Sequence, residues 1–228
     1  MYEYLFLDLD DTILDFHKAE RIAIAKTIRE FGVEPTEEVI NRYHQINIWH
    51  WQQLELGKMT RDQVLEGRFA VLFEELGIQV DKTLCARVYE QHLSQGHWFM
   101  PGAEEAVERL SKKYRLFLAS NGTATVQKGR MTSANLYRFF ECSFVSQEIG
   151  HNKPSKEYFE AAFAMIPGFD KSKCLMVGDS LTSDIRGGIN AGLKTCWVNP
   201  THAPAREDIK PDYEIEYLYQ LEALLDSL

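Results

Sequence analysis

Four short apolar runs in this chain are each followed by groups that can do chemistry. Tyr4-Leu5-Phe6-Leu7 leads into Asp8, Asp10, Asp11 and Thr12, and Leu116-Phe117-Leu118-Ala119 leads into Ser120, Asn121 and Gly122. Cys142-Ser143-Phe144-Val145 is followed, a few residues on, by Lys153 and Pro154, and Cys174-Leu175-Met176-Val177 by Gly178, Asp179, Ser180, Ser183 and Asp184. Apolar runs this short suit strands buried on both faces of a parallel sheet. In such sheets ligands bind outside the carboxyl ends of the strands, so these acids, hydroxyls and lysine are expected at one edge. Crowded carboxylates repel, and a divalent cation relieves the repulsion. An oxygen-only donor set without His or Cys favours Mg²⁺. Hydroxyls, backbone N–H groups at helix starts and a lysine are what a phosphate needs. A carboxylate can attack phosphorus and form an aspartyl-phosphate. Asp8, directly ending its strand, is the most rigidly placed nucleophile. Asp10 can protonate the leaving oxygen and then deprotonate the attacking water, while Lys153 spreads the phosphoryl charge.

These residues need a scaffold, and the sequence outlines one. From Pro101 onward, helical segments (Ala103 to Lys113, Thr125 to Ala134, Lys156 to Met165, Asp184 to Ala191) alternate with short apolar strands, ending at Thr195-Cys196-Trp197-Val198. That rhythm implies right-handed βαβ units. Between the first strand and this region the chain reads as successive helices. Ala19 to Phe31 is amphipathic, Pro35-Thr36-Glu37-Glu38 opens a second helix, Thr60 with Gln63 forms a capping box, and a fourth helix runs from Asp81 to Gln95. The expected fold class is therefore α/β: a Rossmann-like parallel-sheet core from residues 1–16 and 96–228, with an all-helical cap domain, residues 17–95, inserted after the first strand. Tyr213 to Leu228 adds a terminal strand and helix.

The motifs D8-L-D10-D11-T12, the serine of L-A-S120-N-G, K153-P and G178-D179-S-L-T-S-D184, in this order, resemble the four ordered motifs of the haloacid dehalogenase-like (HAD) superfamily, and the resemblance covers the whole chain. It implies that Asp8 is the nucleophile and Asp10 the acid/base. It sets Thr12, Ser120, Asn121 and Lys153 on the phosphate, with Thr12 also supporting Asp10 and its loop. Asp8, the backbone carbonyl of Asp10, and Asp179 would bind Mg²⁺, with Asp184 helping through water or by orienting Lys153. Haloacid dehalogenases lack an acid at the position of Asp10 and need no metal, so Asp10, Asp179 and Asp184 favour phosphoryl transfer. The opening DLDDTILDF, the run TRDQVLEGRF and GDSLTSDIRGGINAGLKTCWVNP are more closely similar to the YjjG/YfnB-type 5′-nucleotidases. That similarity implies hydrolysis of nucleoside monophosphates, with pyrimidine deoxynucleotides favoured. The alternatives are a phosphatase for phosphoglycolate or sugar phosphates and, more remotely, a haloacid dehalogenase or a non-catalytic phospho-accepting module.

Composition bounds the remaining possibilities. The 228 residues carry a formal net charge of −9, which argues against general nucleic-acid or anionic-membrane binding. No apolar run approaches a membrane span. Four scattered cysteines, Cys85, Cys142, Cys174 and Cys196, read as reduced thiols of a cytoplasmic protein. The expected partner is a small phosphate ester, with the chain a monomer or homodimer. Asp11 reads as a polar loop residue. Within the cap, Trp49 and Arg68 are the candidate specificity residues, and the seven histidines suggest no metal-ligand pair.

Overall fold

In the computed structural model, which describes residues 1–228, the apolar runs form one six-stranded parallel sheet. The strands are β1 (Tyr4–Leu7), β2 (Arg115–Ser120), β3 (Cys142–Val145), β4 (Cys174–Gly178), β5 (Lys194–Val198) and β6 (Tyr213–Ile215). Their spatial order is β3-β2-β1-β4-β5-β6. The chain builds outward from β1 on one side and then crosses to β4 on the other, so the order reverses between β1 and β4, where doubly wound sheets hold their ligands. Leu7 sits in register with Leu118 of β2 and Val177 of β4, which brings the ends of the three motif-bearing strands level.

Alternation along the strands divides the core in two. Leu5, Leu7, Leu116, Leu118, Leu175 and Val177 face one helical layer, α5 (Ala103–Ser111) and α10 (Leu221–Asp226) among it. Tyr4, Phe6, Phe117 and Met176 face the other, against Tyr158, Phe159 and Ala162 of α8 (Lys156–Ala164). Both faces are covered, which is why the strands lack polar alternation. Full burial of each such large apolar side chain is worth about 1.5–3 kcal/mol.

The inserted cap comprises α1 (Phe16–Glu30), α2 (Glu37–Glu55), α3 (Arg61–Glu75) and α4 (Lys82–Leu93), around its own core of Ile24, Ile28, Tyr43, Phe69, Phe73 and Tyr89. Val126 of α6 (Ala124–Ser133) reaches from the sheet domain into that cluster. The capping box at Thr60 and Gln63 is formed. Two expected helix boundaries move. Helix α1 starts before Ala19, because the Asp15 carboxylate accepts from the Lys18 N–H and the Asp11 carboxylate from the Phe16 and His17 N–H groups. The segment expected as one helix from Asp184 to Ala191 is a π-turn, Leu181–Ile185, followed by α9 (Arg186–Ala191). In the π-turn the Ser180 carbonyl accepts from both Asp184 and Ile185, a local widening of the kind found at functional sites. A four-residue helix, α7 (Ser146–Ile149), was not anticipated. None of the helices is long and apolar enough to cross a membrane.

Candidate active site

The strand ends converge on the floor of a cavity of about 390 Å³ between core and cap. Asp8 continues β1 and is almost fully buried, and Lys153, from the loop beyond β3, is 1% exposed. Lys153 Nζ donates to Asp8 Oδ1 at 2.7 Å, to Asp184 Oδ1 at 2.6 Å and to the Ala119 carbonyl at 2.6 Å. All three ammonium donors are thereby used. Asp184 is placed by the π-turn and by a hydrogen bond from the Ser180 N–H at 3.0 Å. Its carboxylate occupies the space that a Cβ would fill at residue 178, so Gly178 is required there by close approach and not by backbone angle.

Asp8, Asp179 and Asp184 bring carboxylate oxygens within 4.8 Å of one another. Burial pushes the Asp8 carboxyl up to about 8, against the pull of Lys153. Burial, reinforced by Asp184 and Asp8, also raises Asp179 well above its usual range. Burial opposes the Lys153 ammonium, but Asp184 and Asp8 outweigh it and hold this lysine above the usual range. Were all three acids ionised, one ammonium would leave two negative charges uncompensated, which is why burial pushes Asp8 and Asp179 toward their neutral forms. A hard divalent cation with oxygen ligands fits that deficit, and Asp8, Asp179 and Asp184 are the side chains that would hold it. The Asp10 side chain is not part of this group. Its carboxylate turns to Arg130 and Gln127, which leaves only its backbone carbonyl for a metal.

The other expected phosphate ligands are placed differently. Asn121 lies on the cavity wall, but its side chain is engaged within the protein. It bridges the Lys153 loop, accepting from the Lys153 N–H and donating to the Lys153 carbonyl, both at 2.8 Å, and it reaches Ser183 Oγ at 3.2 Å. Ser120 ends β2 fully buried, its hydroxyl accepting from the Gly122 N–H and from Gln127. Thr12 is buried behind the wall and turns its hydroxyl to Asp179 Oδ1, at 3.4 Å, instead of supporting Asp10. Asp11 is more than a loop residue. It adopts a left-handed conformation (φ 55°), borders the cavity and caps the start of α1.

The cap supplies the opposite wall. On α2, Asn47, Ile48, Trp51 and Glu55 share the face toward the cavity, as helical spacing dictates. Trp49 lies on another face of the helix, 48% exposed and off the wall, so the specificity role expected of it does not fit its placement; Trp51 stands where it was expected. Arg68 does border the cavity, nearly fully buried. It donates to Asn47 Oδ1 at 2.8 Å and lies over the Tyr89 ring at 4.7 Å. Asn47 in turn donates to Glu20 Oε1 at 2.6 Å, and Glu20 Oε2 meets His44 Nδ1 at 2.5 Å. Folding brings His17 and His44 together around Glu20, a proximity that their spacing in the sequence does not show.

Cap and core are latched together. Arg61 at the start of α3 donates to the Asn121 and Gly122 carbonyls at 3.0 and 3.1 Å, to Ser146 Oγ at 2.5 Å and to Asn152 Oδ1 at 2.6 Å. Thr182 donates to Glu55 Oε2 at 2.8 Å. Burial pulls the Arg61 guanidinium below its usual range and pushes the Glu55 carboxyl up. Gln127, Arg130, Glu20, Asn47, His44 and Glu55 belong to no motif legible in the sequence. The one available signal for the first two was a weakly amphipathic α6, whose buried face carries Gln127 and Arg130 beside Val126 and Met131.

The sheet with its helical insert agrees with comparisons to known proteins. The family model for haloacid dehalogenase-like hydrolases matches residues 2–192, and the chain belongs to that family. It is 36% identical over 228 residues to the pyrimidine 5′-nucleotidase PynA of Streptococcus pneumoniae, covering 100% of this chain and 95% of that protein. It is 30% identical over 224 residues to the pyrimidine 5′-nucleotidase YjjG of Escherichia coli, covering 98% of each. The crystal structure of the HAD-hydrolase YfnB from Bacillus subtilis, described as bound to magnesium and as revealing interdomain movement, superposes with a TM-score of 0.94 at 40% identity over 99% of each chain.

Proposed function

We propose that this hydrolase is a Mg²⁺-dependent phosphomonoesterase working through an aspartyl-phosphate on Asp8, and that its substrates are nucleoside 5′-monophosphates, pyrimidine deoxynucleotides foremost. The observation that carries the reading is the pairing of Asp8 with a second acid two residues on, Asp10, beside a buried Lys153 held 2.7 Å from Asp8. A dehalogenase nucleophile needs neither an acid at the position of Asp10 nor a metal. The names of PynA and YjjG support the nucleotide substrate, as does a cap wall of Trp51, Asn47, Arg68 and Glu20, which offers an aromatic face with hydrogen-bond donors and acceptors. A phosphatase for phosphoglycolate or sugar phosphates would use the same floor and differ only at that wall.

The chemistry follows from the floor. Bound Mg²⁺ would supply charge compensation to the phosphoryl oxygens and to the acids that hold it. An Asp8 carboxylate oxygen attacks phosphorus, and the bond from phosphorus to the ester oxygen breaks. That oxygen keeps the bonding pair and takes a proton from Asp10, leaving as an alcohol. Asp10, now a carboxylate, removes a proton from water. The water oxygen attacks phosphorus, the bond to Asp8 breaks, and inorganic phosphate leaves with Asp8 regenerated. Lys153 neutralises charge near Asp8 in both steps, and the cap excludes bulk water.

Phosphate release from a panel of nucleoside monophosphates, sugar phosphates and phosphoglycolate, with Mg²⁺ and with EDTA, tests the assignment. Metal-dependent release concentrated on pyrimidine deoxynucleotides is expected. Metal-dependent release from another ester changes the substrate and leaves the mechanism in place. Full turnover by a folded Asp8→Asn variant would overturn the mechanism.

A further inference from the structure

None of the steps above uses Arg130, yet it is the largest fully buried side chain in the protein. Its Nη1 forms an ion pair with Asp10 Oδ1, and its Nε donates to the Gly96 carbonyl at 3.1 Å. Its guanidinium carbon lies 5.6 Å from the centre of the Phe16 ring. Phe16 opens α1 and Gly96 follows α4, so one guanidinium touches both places where the chain crosses between core and cap. Gln127, three residues earlier on α6, takes the other oxygen of the same carboxylate. Its Nε2 lies 2.7 Å from Asp10 Oδ2 and 2.7 Å from Ser120 Oγ. The Gln127 amide fills the space that a side chain at residue 122 would need, so Gly122 admits it.

Stability alone does not account for this arrangement. Arg130 Nη2 is buried with no partner, and a buried guanidinium with an unmade hydrogen bond is a worse core element than a methionine of similar length. Asp10, by contrast, gains a fixed orientation, since both its oxygens are held from one side by two residues of a single helix.

We propose that Arg130, together with Gln127, is a positioning residue for the acid/base. The pair fixes the Asp10 carboxyl at the edge of the cavity, holding one lone pair of each oxygen and leaving the other free to carry the proton, and Arg130 ties that placement to the two cap crossings. The inference rests on the phosphomonoesterase reading, in which Asp10 gives its proton to the ester oxygen as the phosphorus–oxygen bond breaks.

Leaving-group dependence tests it. A nitrophenolate departs without a proton, whereas the alkoxide of a nucleoside 5′-monophosphate needs one. The value kcat/KM reports the steps up to transfer onto Asp8, so it isolates the protonation. For R130M and Q127L, kcat/KM on the nucleotide is expected to fall on the order of tenfold to a hundredfold, part of what general acid catalysis contributes. On p-nitrophenyl phosphate the loss should stay below about threefold. R130K, which keeps the charge, should recover part of the nucleotide rate. D10N is the reference and should show the same discrimination more strongly. Equal losses on both esters in variants whose melting shows them folded would overturn the proposal. So would equal losses in Q127L and R130K alone, which carry the test if R130M does not fold. Absence of discrimination in D10N would instead overturn the assignment of Asp10 as the acid, a separate failure.

Discussion

Lys153 Nζ and Asp8 Oδ1 lie 2.7 Å apart, with the lysine 1% and the aspartate 9% exposed in their side chains. This is a buried ion pair, and Asp184, 2.6 Å from the same ammonium, makes it a triad. Removing one partner of such a group strands the other charges. K153M is therefore expected to lose about 3–5 kcal/mol of stability, by the rule for half-broken buried pairs. Its activity should fall on the order of a hundredfold or more, the scale for losing one electrostatic stabiliser of the transition state. Urea unfolding of wild type and variant, alongside turnover, checks both. A variant as stable as wild type would mean that the acids find compensation elsewhere.

The same charge count predicts a thermal response to metal. With Lys153 intact, one ammonium cannot offset Asp8, Asp179 and Asp184 when all three are ionised, and burial pushes Asp8 and Asp179 toward protonation, which a bound cation would reverse. A ligand that binds only the folded state raises its melting temperature, with about 2.7 kcal/mol gained at a hundred times Kd. Mg²⁺ is expected to raise the midpoint saturably over EDTA. D179N, which removes one carboxylate that would hold the ion, should shrink the rise. A melting curve indifferent to Mg²⁺ in the wild-type protein would sink the metal assignment.

Arg61 crosses from the cap to four acceptors on the core. Hydrogen bonds from a charged group contribute about 1.5–3 kcal/mol each, so losing even one shifts a closed–open balance by roughly tenfold or more. R61A is expected to keep its fold, since Arg61 belongs to neither apolar core, while the cap opens. The expected signs are a larger radius of gyration by X-ray scattering and faster proteolysis at the cap crossings. A lowered kcat/KM on nucleotides should accompany them. Unchanged scattering and kinetics would show that the latch is redundant with the Thr182–Glu55 contact.

How much of this was legible beforehand follows from which residues depend on local pattern. The strands β1, β3 and β4, and the acids after β1 and β4, were readable because a double-sided parallel strand is an unbroken apolar run and a motif at its end stands in fixed register. The third cap helix was readable through its capping box, Thr60 with Gln63, and the second through the acids that follow Pro35 and Thr36. Trp49 was misplaced because the spacing of aromatics in an isolated helix does not say which face meets the cavity. The contact of Thr12 with Asp179, 167 residues away in the chain, is one that no local spacing reveals. Gln127 and Arg130 went unseen for a like reason: polar residues on a helix normally mean solvent, and only the tertiary fold shows Asp10 in front of them.

The Glu20–His44 contact yields a pH prediction. The hydrogen bond from His44 to buried Glu20 comes first among the causes that hold the imidazole above its usual value, and burial opposes it only in part. A histidine whose folded value lies above its unfolded one, about 6.5, stabilises the fold most when both states are protonated, and that contribution fades as pH rises through the folded value. The melting-temperature gap between wild type and H44Q should therefore be widest below the unfolded value of about 6.5 and narrow as pH rises through the folded one. An NMR titration of the His44 ring should give a midpoint above the ordinary one, and E20Q should bring it back down. A gap that stays constant or widens toward alkaline pH would mean that His44 is neutral in the folded protein, with Glu20 held by Asn47 alone.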